Sequence, residues 1–504
     1  MSDAKRARQP SMNSSRMRSV WVLPGVALCS ALVLTACADL DKRPVQAEVI
    51  LPPVYPGAAQ GAASASAEVA SDWRALYKDP HLAALITEAL DSNRDVRIAL
   101  ARVQEARALV GPAEYAQLPQ MSIGGDASRQ QLPQRGQIVF APGQDRRLSL
   151  YGASVNASYE ADVWGRVSSL TEAARAEFLA SRYAAETVRI GLIAEVASAY
   201  FDILALRDEV AMTRDSIVTR EKFLDLTRKR QEGGRASQAE VARAESALAQ
   251  ARTRQPQLEL ALAQSAHRLA LLVGRQGGEP AALVPASAKM PEAPEVPAGL
   301  PSRLLERRPD LLAAGQELLS ASSRVRAQRA ALLPSLSLTG ALGTQSRDLG
   351  DLLTGPSGRW SFGLGLLAPI IDAQRNRYAV EAQEAREVQA ALRYEKAVQS
   401  AFREVSDALV ARTMQARVRE AAQAQIASQA RLADIALKRY EAGMASYFEV
   451  VDAQAELLNA RIAQAEAQRA LLGAGVQLYR ALGGGWDPAS VRAAASGGSA
   501  GASR

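Results

Sequence analysis

Two long stretches of this chain carry apolar residues spaced by four and then three. From about Ser168 to Gln231, the stripe runs through Val188, Leu192, Val196, Ala199, Ile203, Leu206 and Val210. From about Arg375 to Tyr440, it runs through Val398, Phe402, Val405 and Leu409. That spacing is the seam of a coiled-coil-like helix. Neither stretch contains Pro, and Gly is almost absent, so nothing interrupts them. At 1.5 Å per residue, about 64 residues reach roughly 95 Å, far beyond an ordinary globular helix. Both seams are rich in Ala, which lets neighbouring helices approach closely. Gly233-Gly234 and Gly443 then predict turns that send each helix back as a hairpin.

A second period appears between the helices. From Leu148 to Tyr159, Tyr151, Ala153, Val155, Ala157 and Tyr159 alternate with Gly152, Ser154, Asn156 and Ser158. Trp360, Phe362, Leu364 and Leu366 alternate in the same way with Ser361, Gly363 and Gly365. Their predicted partners follow Pro119 (Met121, Ile123) and Pro334 (Leu336, Leu338, Leu342). Strands of roughly ten residues with one apolar and one small or polar face fit a transmembrane barrel. A half-buried soluble sheet alternates identically, but little else in the chain could cover these strands. Four strands cannot close, and open edges are not tolerated in lipid. Bacterial barrels need at least about eight strands, so several chains must contribute; three would supply twelve.

The two patterns occur twice. At an offset of 209 residues, Arg230-Gln231-Glu232-Gly233-Gly234-Arg235-Ala236-Ser237 falls on Arg439-Tyr440-Glu441-Ala442-Gly443-Met444-Ala445-Ser446, and Glu240-Val241 falls on Glu449-Val450. An offset of 215 matches Asp95 to Asp310 and Pro119 to Pro334. The chain is therefore a tandem duplication, with repeats expected at 73–279 and 302–483. A Pro-rich connector spans 280–301, and a Gly/Ser/Ala tail at 484–504 is expected to be disordered.

The first residues read differently. A basic stretch leads into the apolar run Val20–Val33 and then Leu34-Thr35-Ala36-Cys37. The run is too short to span a bilayer and reads as a signal peptide over 1–36. Leu-Thr-Ala-Cys resembles a bacterial lipobox, so Cys37 is the expected acylation site, with 37–72 as a linker. Ala38 in place of Asp favours export to the outer membrane. Cys29 would leave with the leader, so no disulfide is expected.

Composition narrows the function classes. The 504 residues are 48% apolar but only 5% aromatic, because Ala and Leu dominate, which favours long helices over short strands. The formal charge is +7, yet Lys5, Arg6, Arg8, Arg16 and Arg18 precede Cys37 against Asp3 alone. Elsewhere Arg and Glu interleave along helices, which gives no case for nucleic acid. The two histidines, His81 and His267, stand in no metal-ligand or nucleophile–base pattern. With no phosphate loop, zinc spacing or nucleophile elbow, neither enzyme, metal nor cofactor is expected.

Taken in order, several motifs carry a family resemblance. They are Asp72-Trp73-Arg74-Ala75-Leu76-Tyr77-Lys78-Asp79-Pro80, with Leu82, Leu85, Asn93 and Asp95 after it, Asp162-Val163-Trp164-Gly165-Arg166, Arg307-Arg308-Pro309-Asp310 and Arg439-Tyr440-Glu441-Ala442-Gly443. The set resembles the TolC/OprM family of outer-membrane efflux proteins, closest to its lipoprotein members, over essentially the whole mature chain. The resemblance implies a mostly α fold in which each of three protomers gives four strands to a 12-stranded outer-membrane barrel, continued by a periplasmic tunnel of helices. It further implies an exit duct that passively conducts small molecules, docked to a periplasmic adaptor and an inner-membrane transporter of the RND type. Family members constrict the periplasmic tip with acidic side chains whose positions fall on Glu449 and Asp452, here with Glu for the usual Asp at the first. Three copies of an acid around a threefold axis would attract cations and repel anions. Family precedent also joins Glu240 to Tyr440 as a latch; a second family clamp needs Arg where this chain has Ala445, and Arg235 is a candidate substitute. The turns at Gly233, Gly234 and Ser237 and at Gly443 and Ser446 are the expected adaptor contacts, although turn chemistry alone explains Gly and Ser there.

Two other readings fit parts of the pattern. A periplasmic coiled-coil lipoprotein adaptor or scaffold would explain the helices and the anchor, but not two strand pairs. An exit duct for secreted polypeptides would share the channel and differ only in its inner-membrane partner.

Overall fold

The structure is a computed structural model that describes residues 78–133, 145–277, 279–293, 304–369, 372–489 and 491, with residues 45, 47, 52 and 55. The expected signal peptide, Cys37 and the motif positions Asp72–Tyr77 lie outside the described residues. In order, α1 (Pro80–Ser92) and α2 (Arg94–Tyr115) lead to β1 (Gln120–Gln131) and β2 (Arg147–Ala161). Then come α3 (Arg166–Glu232), α4 (Gln238–Leu272), α5 (Pro280–Leu283), α6 (Leu304–Arg307) and α7 (Pro309–Ala330). The second half continues with β3 (Ser335–Ser346), β4 (Gly358–Leu367), α8 (Ala373–Glu441) and α9 (Tyr447–Ala481). Helix, two strands, a very long helix and a return helix therefore occur twice. The long helices have 67 and 69 residues, and each return helix has 35.

The chain divides into two compact units, and each is described by itself. The first takes residues 109–175 and 319–389 and is built around one antiparallel sheet in the order β1-β2-β3-β4. Each half contributes the hairpin that alternation predicted, and β2 pairs with β3 to join the halves. Directly opposite residues share a face. Ile123 faces Val155, Val155 faces Leu342, and Leu342 faces Trp360, so one apolar row crosses all four strands. Ser154 lies opposite Gly343, where an added Cβ would run into the Ala153 carbonyl oxygen; only Gly lets the strands close there.

Around the feet of the strands, side chains fix the chain's direction. The Asp162 carboxylate accepts from the Val167 and Ser168 amides and caps α3, while Gly165 turns the corner at a φ of 73°. Arg166 makes a two-pronged pair with Glu160, and the Trp164 indole donates to the Pro334 carbonyl, tying the second half to the first.

The second unit takes residues 47–108, 176–318 and 390–504, and its described secondary structure is helical. Its main core uses the predicted seams: Leu192, Val196, Ala199 and Ile203 of α3 are buried with Val398, Val405 and Leu409 of α8. Leu82 and Ile86 of α1 and Leu478 of α9 close the same cluster. The family-like motifs act here as fasteners. Asp79 caps α1 and accepts from the Tyr200 hydroxyl at 2.6 Å. Asn93 caps α2 through the Asp95 and Val96 amides and donates to the Leu272 carbonyl.

The start of the tail departs from the expectation of disorder. Trp486 is only 5% exposed, meets Tyr183 edge to face at 6.0 Å and donates to the Arg307 carbonyl. One large aromatic with a satisfied N–H outweighs the Gly run before it.

Candidate functional site

Two surfaces stand out, one in each unit. On the sheet, Met121, Ile123, Leu342, Trp360, Phe362, Leu364 and Leu366 are all 66% exposed or more. Ser122, Asp126, Ser154, Asn156, Ser337, Thr339 and Ser361 occupy the opposite face by register. An exposed apolar sheet of this extent marks a contact surface. Its length suits a membrane: the ten residues of β4 rise about 33 Å, and a tilt of about 40° leaves about 25 Å, the height of a barrel's apolar band. Among the described residues β1 and β4 each have one partner strand, so both outer edges offer unpaired backbone groups. Among the described residues, no helix is long and apolar enough to cross a membrane.

The second surface is the pair of hairpin turns. Helix α3 ends with the Arg235 amide donating to Arg230 and the Gly234 amide donating to Gln231, with Gly234 at a φ of 70°. Helix α8 ends identically through Met444, Arg439, Gly443 and Tyr440, with Gly443 at 73°. Both are the glycine-terminated caps that the spacing suggested. Between them lies a small apolar core in which Tyr440, Tyr447 and Val450 meet Ile217, Leu224, Val241 and Leu248. The Tyr440 and Tyr447 rings are 5.7 Å apart, and the Arg230 guanidinium lies 4.5 Å from the Tyr440 centroid. Burial pushes the Tyr447 phenol up to about 12 against the opposing effect of its Thr227 hydrogen bond, so it stays neutral.

The expected site residues part company here. Glu240 closes a capping box with Ser237: the Ser hydroxyl accepts from the Glu240 amide, and the carboxylate accepts from the Ser237 amide at 2.8 Å. The chain does not join Glu240 to Tyr440, whose ring takes Arg230 instead. Ser446 makes no such side-chain cap, and Glu449 pairs with Arg439 at 3.3 Å. Asp452 is exposed, and among the described residues no hydrogen bond or ion pair engages it. Arg235, the candidate substitute clamp, is exposed. Phe448 went unremarked in the sequence, yet it is 54% exposed beside the turn and has the Arg243 guanidinium 5.1 Å from its ring.

The comparisons with known proteins decide the family. The model for "Outer membrane efflux protein" matches residues 85–275 and again residues 300–484. The chain belongs to the outer membrane efflux protein family. The double match covers the two repeats in turn. The outer membrane protein OprJ of Pseudomonas aeruginosa is 35% identical over 469 residues, 92% of this chain and 95% of OprJ. The toluene efflux pump outer membrane protein TtgC of Pseudomonas putida is 34% identical over 91% of this chain and 94% of its own. Among solved structures, a membrane protein from Pseudomonas aeruginosa superposes with a TM-score of 0.78 at 33% identity, over 87% of this chain and 100% of the other. The open state of the Neisseria gonorrhoeae MtrE outer membrane channel gives 0.79 at 28% identity, over 89% and 98%. This efflux protein is thus an outer-membrane channel component, and the scaffold reading is set aside.

Proposed function

We propose that three copies of this efflux protein close one 12-stranded barrel in the outer membrane and form the exit duct of a tripartite pump for small molecules. The observation that carries this is the sheet itself, four strands with an exposed apolar face and, among the described residues, two unpaired edges. Joining the β1 edge of one copy to the β4 edge of the next satisfies both edges and leaves the apolar face to lipid. Acylation at Cys37 adds a lipid anchor to the outer membrane. An RND-type inner-membrane transporter supplies the cargo, and a periplasmic adaptor meets the turns at Gly233, Gly234, Ser237, Gly443 and Ser446. The duct itself performs no chemistry.

Within this assembly Glu449 and Asp452 ring the periplasmic tip and restrict it. Latching through Glu240 and Tyr440 would form between chains, with Glu240 leaving its cap. In mild detergent, extracted outer membranes should yield a particle with three times the mass of the acylated chain that unfolds as one cooperative unit. A monomer in the inner-membrane fraction would sink the barrel. Replacing Glu449 and Asp452 together by Ala should raise resting conductance in planar bilayers and weaken cation preference. Unchanged single-channel currents would remove both residues from the gate.

A further inference from the structure

The duplicated hairpins carry the same residues at the turn but use them differently. In the first, Ser237 and Glu240 cap each other, and Arg230 is drawn to the Tyr440 ring. In the second, the position matching Gln231 is Tyr440, so Arg439 has no aromatic partner in the equivalent place. Its guanidinium instead bridges the turn, donating through one nitrogen to the Met444 carbonyl and through the other to Glu449, both at 3.3 Å. Glu449 therefore leaves the cap its sequence could form and is held against a fixed positive charge. The residue matching Asp452 in the first hairpin is Arg243, which lies over the Phe448 ring rather than near Asp452 as a partner. Among the described residues, Glu449 has a counter-ion and Asp452 has none.

We infer that Arg439 sets the ion selectivity of the tip by neutralising Glu449, so that Asp452 alone supplies the uncompensated charge. The inference rests on the reading of these acids as a ring. An exposed ion pair is weak by itself, but the second bond to Met444 anchors the guanidinium to the turn whether or not Glu449 is engaged. With three copies converging, each carboxylate also meets like charge, which favours keeping a local counter-ion. Selectivity then depends on a residue that carries no negative charge and stands on the other side of the turn from the ring.

The experiment is reversal potential in a KCl gradient, measured on the full acylated protein in planar bilayers. D452N should remove most of the cation preference, and E449Q should change it little. R439Q should raise the K⁺ to Cl⁻ permeability ratio by roughly twofold or more, because it frees three carboxylates. That rise should vanish in R439Q/E449Q, and R439K, which keeps the charge, should stay near the parent. The double variant separates counter-ion loss from a damaged turn, since a misfolded tip would shift currents in both backgrounds. If E449Q costs as much preference as D452N while R439Q does nothing, Arg439 has no such role and the ring survives. If D452N, E449Q and their combination all match the parent, the ring and this inference fall together.

Discussion

Phe362→Arg should abolish assembly of the efflux protein in the outer membrane, whereas Ser361→Arg, one residue away, should leave it nearly intact. Phe362 is 73% exposed on the apolar face, near the middle of β4, with Trp360 and Leu364 flanking it on the same side. An Arg facing lipid near the bilayer midplane costs about 2–4 kcal/mol, and a trimer incurs this three times. That total, about 6–12 kcal/mol, is comparable to the whole margin of most folded proteins, which is about 5–15 kcal/mol. Ser361 has its side chain on the opposite face, opposite Ala341. There an Arg meets the barrel's aqueous lumen and alters conductance rather than insertion. The readout is the heat-resistant oligomer recovered from the outer-membrane fraction. Equal recovery of both variants would mean that the apolar face does not meet lipid.

The contrast between these neighbours was legible in the sequence, because alternation assigns faces before any contact is known. The helices were legible for a related reason. Seams expected over about 168–231 and 375–440 became α3 at Arg166–Glu232 and α8 at Ala373–Glu441, since burial against a neighbouring helix enforces the period. Strand neighbours were less visible. Nothing in a period of two says that β2 lies beside β3, because each strand alternates whatever its partner. Trp486 was hidden by its surroundings, one aromatic after a run of three glycines.

At the hairpin tips the limit is different in kind. Arg230 and Arg439 occupy equivalent positions, and each has several partners within reach of a long, flexible side chain. A single difference, Gln231 against Tyr440, sends one guanidinium across to a ring and keeps the other on its own turn. Competing contacts of similar strength are decided by geometry that a motif does not encode. Motifs that specify a fixed corner, such as Asp162-Val163-Trp164-Gly165-Arg166, read more reliably because capping and positive φ admit few solutions.

Arg308→Met should shorten the lifetime of the folded protein more than any single change at the tips. The guanidinium is 9% exposed and spends every face: two bonds to Asp310 at 2.9 and 2.6 Å, two to Glu404 at 3.0 Å, and one to the Ala481 carbonyl. Burial alone would disfavour the charged form, yet the two carboxylates outweigh it and the pKa is raised. One residue thus ties the start of α7, the Glu404 position of α8 and the end of α9, contacts that all fall among residues of the helical unit. Removing it strands two carboxylates against each other in a half-buried site, which costs about 3–5 kcal/mol. Such a cost belongs to the broken pair and not to the intact one. The triple variant R308M/D310N/E404Q, with no charge left to strand, should therefore recover much of the loss. Half-life of the oligomer in detergent at fixed high temperature measures both. A short half-life in the single variant that the triple variant does not lengthen would show that Arg308 acts through packing of its stem, and not through the charges it joins.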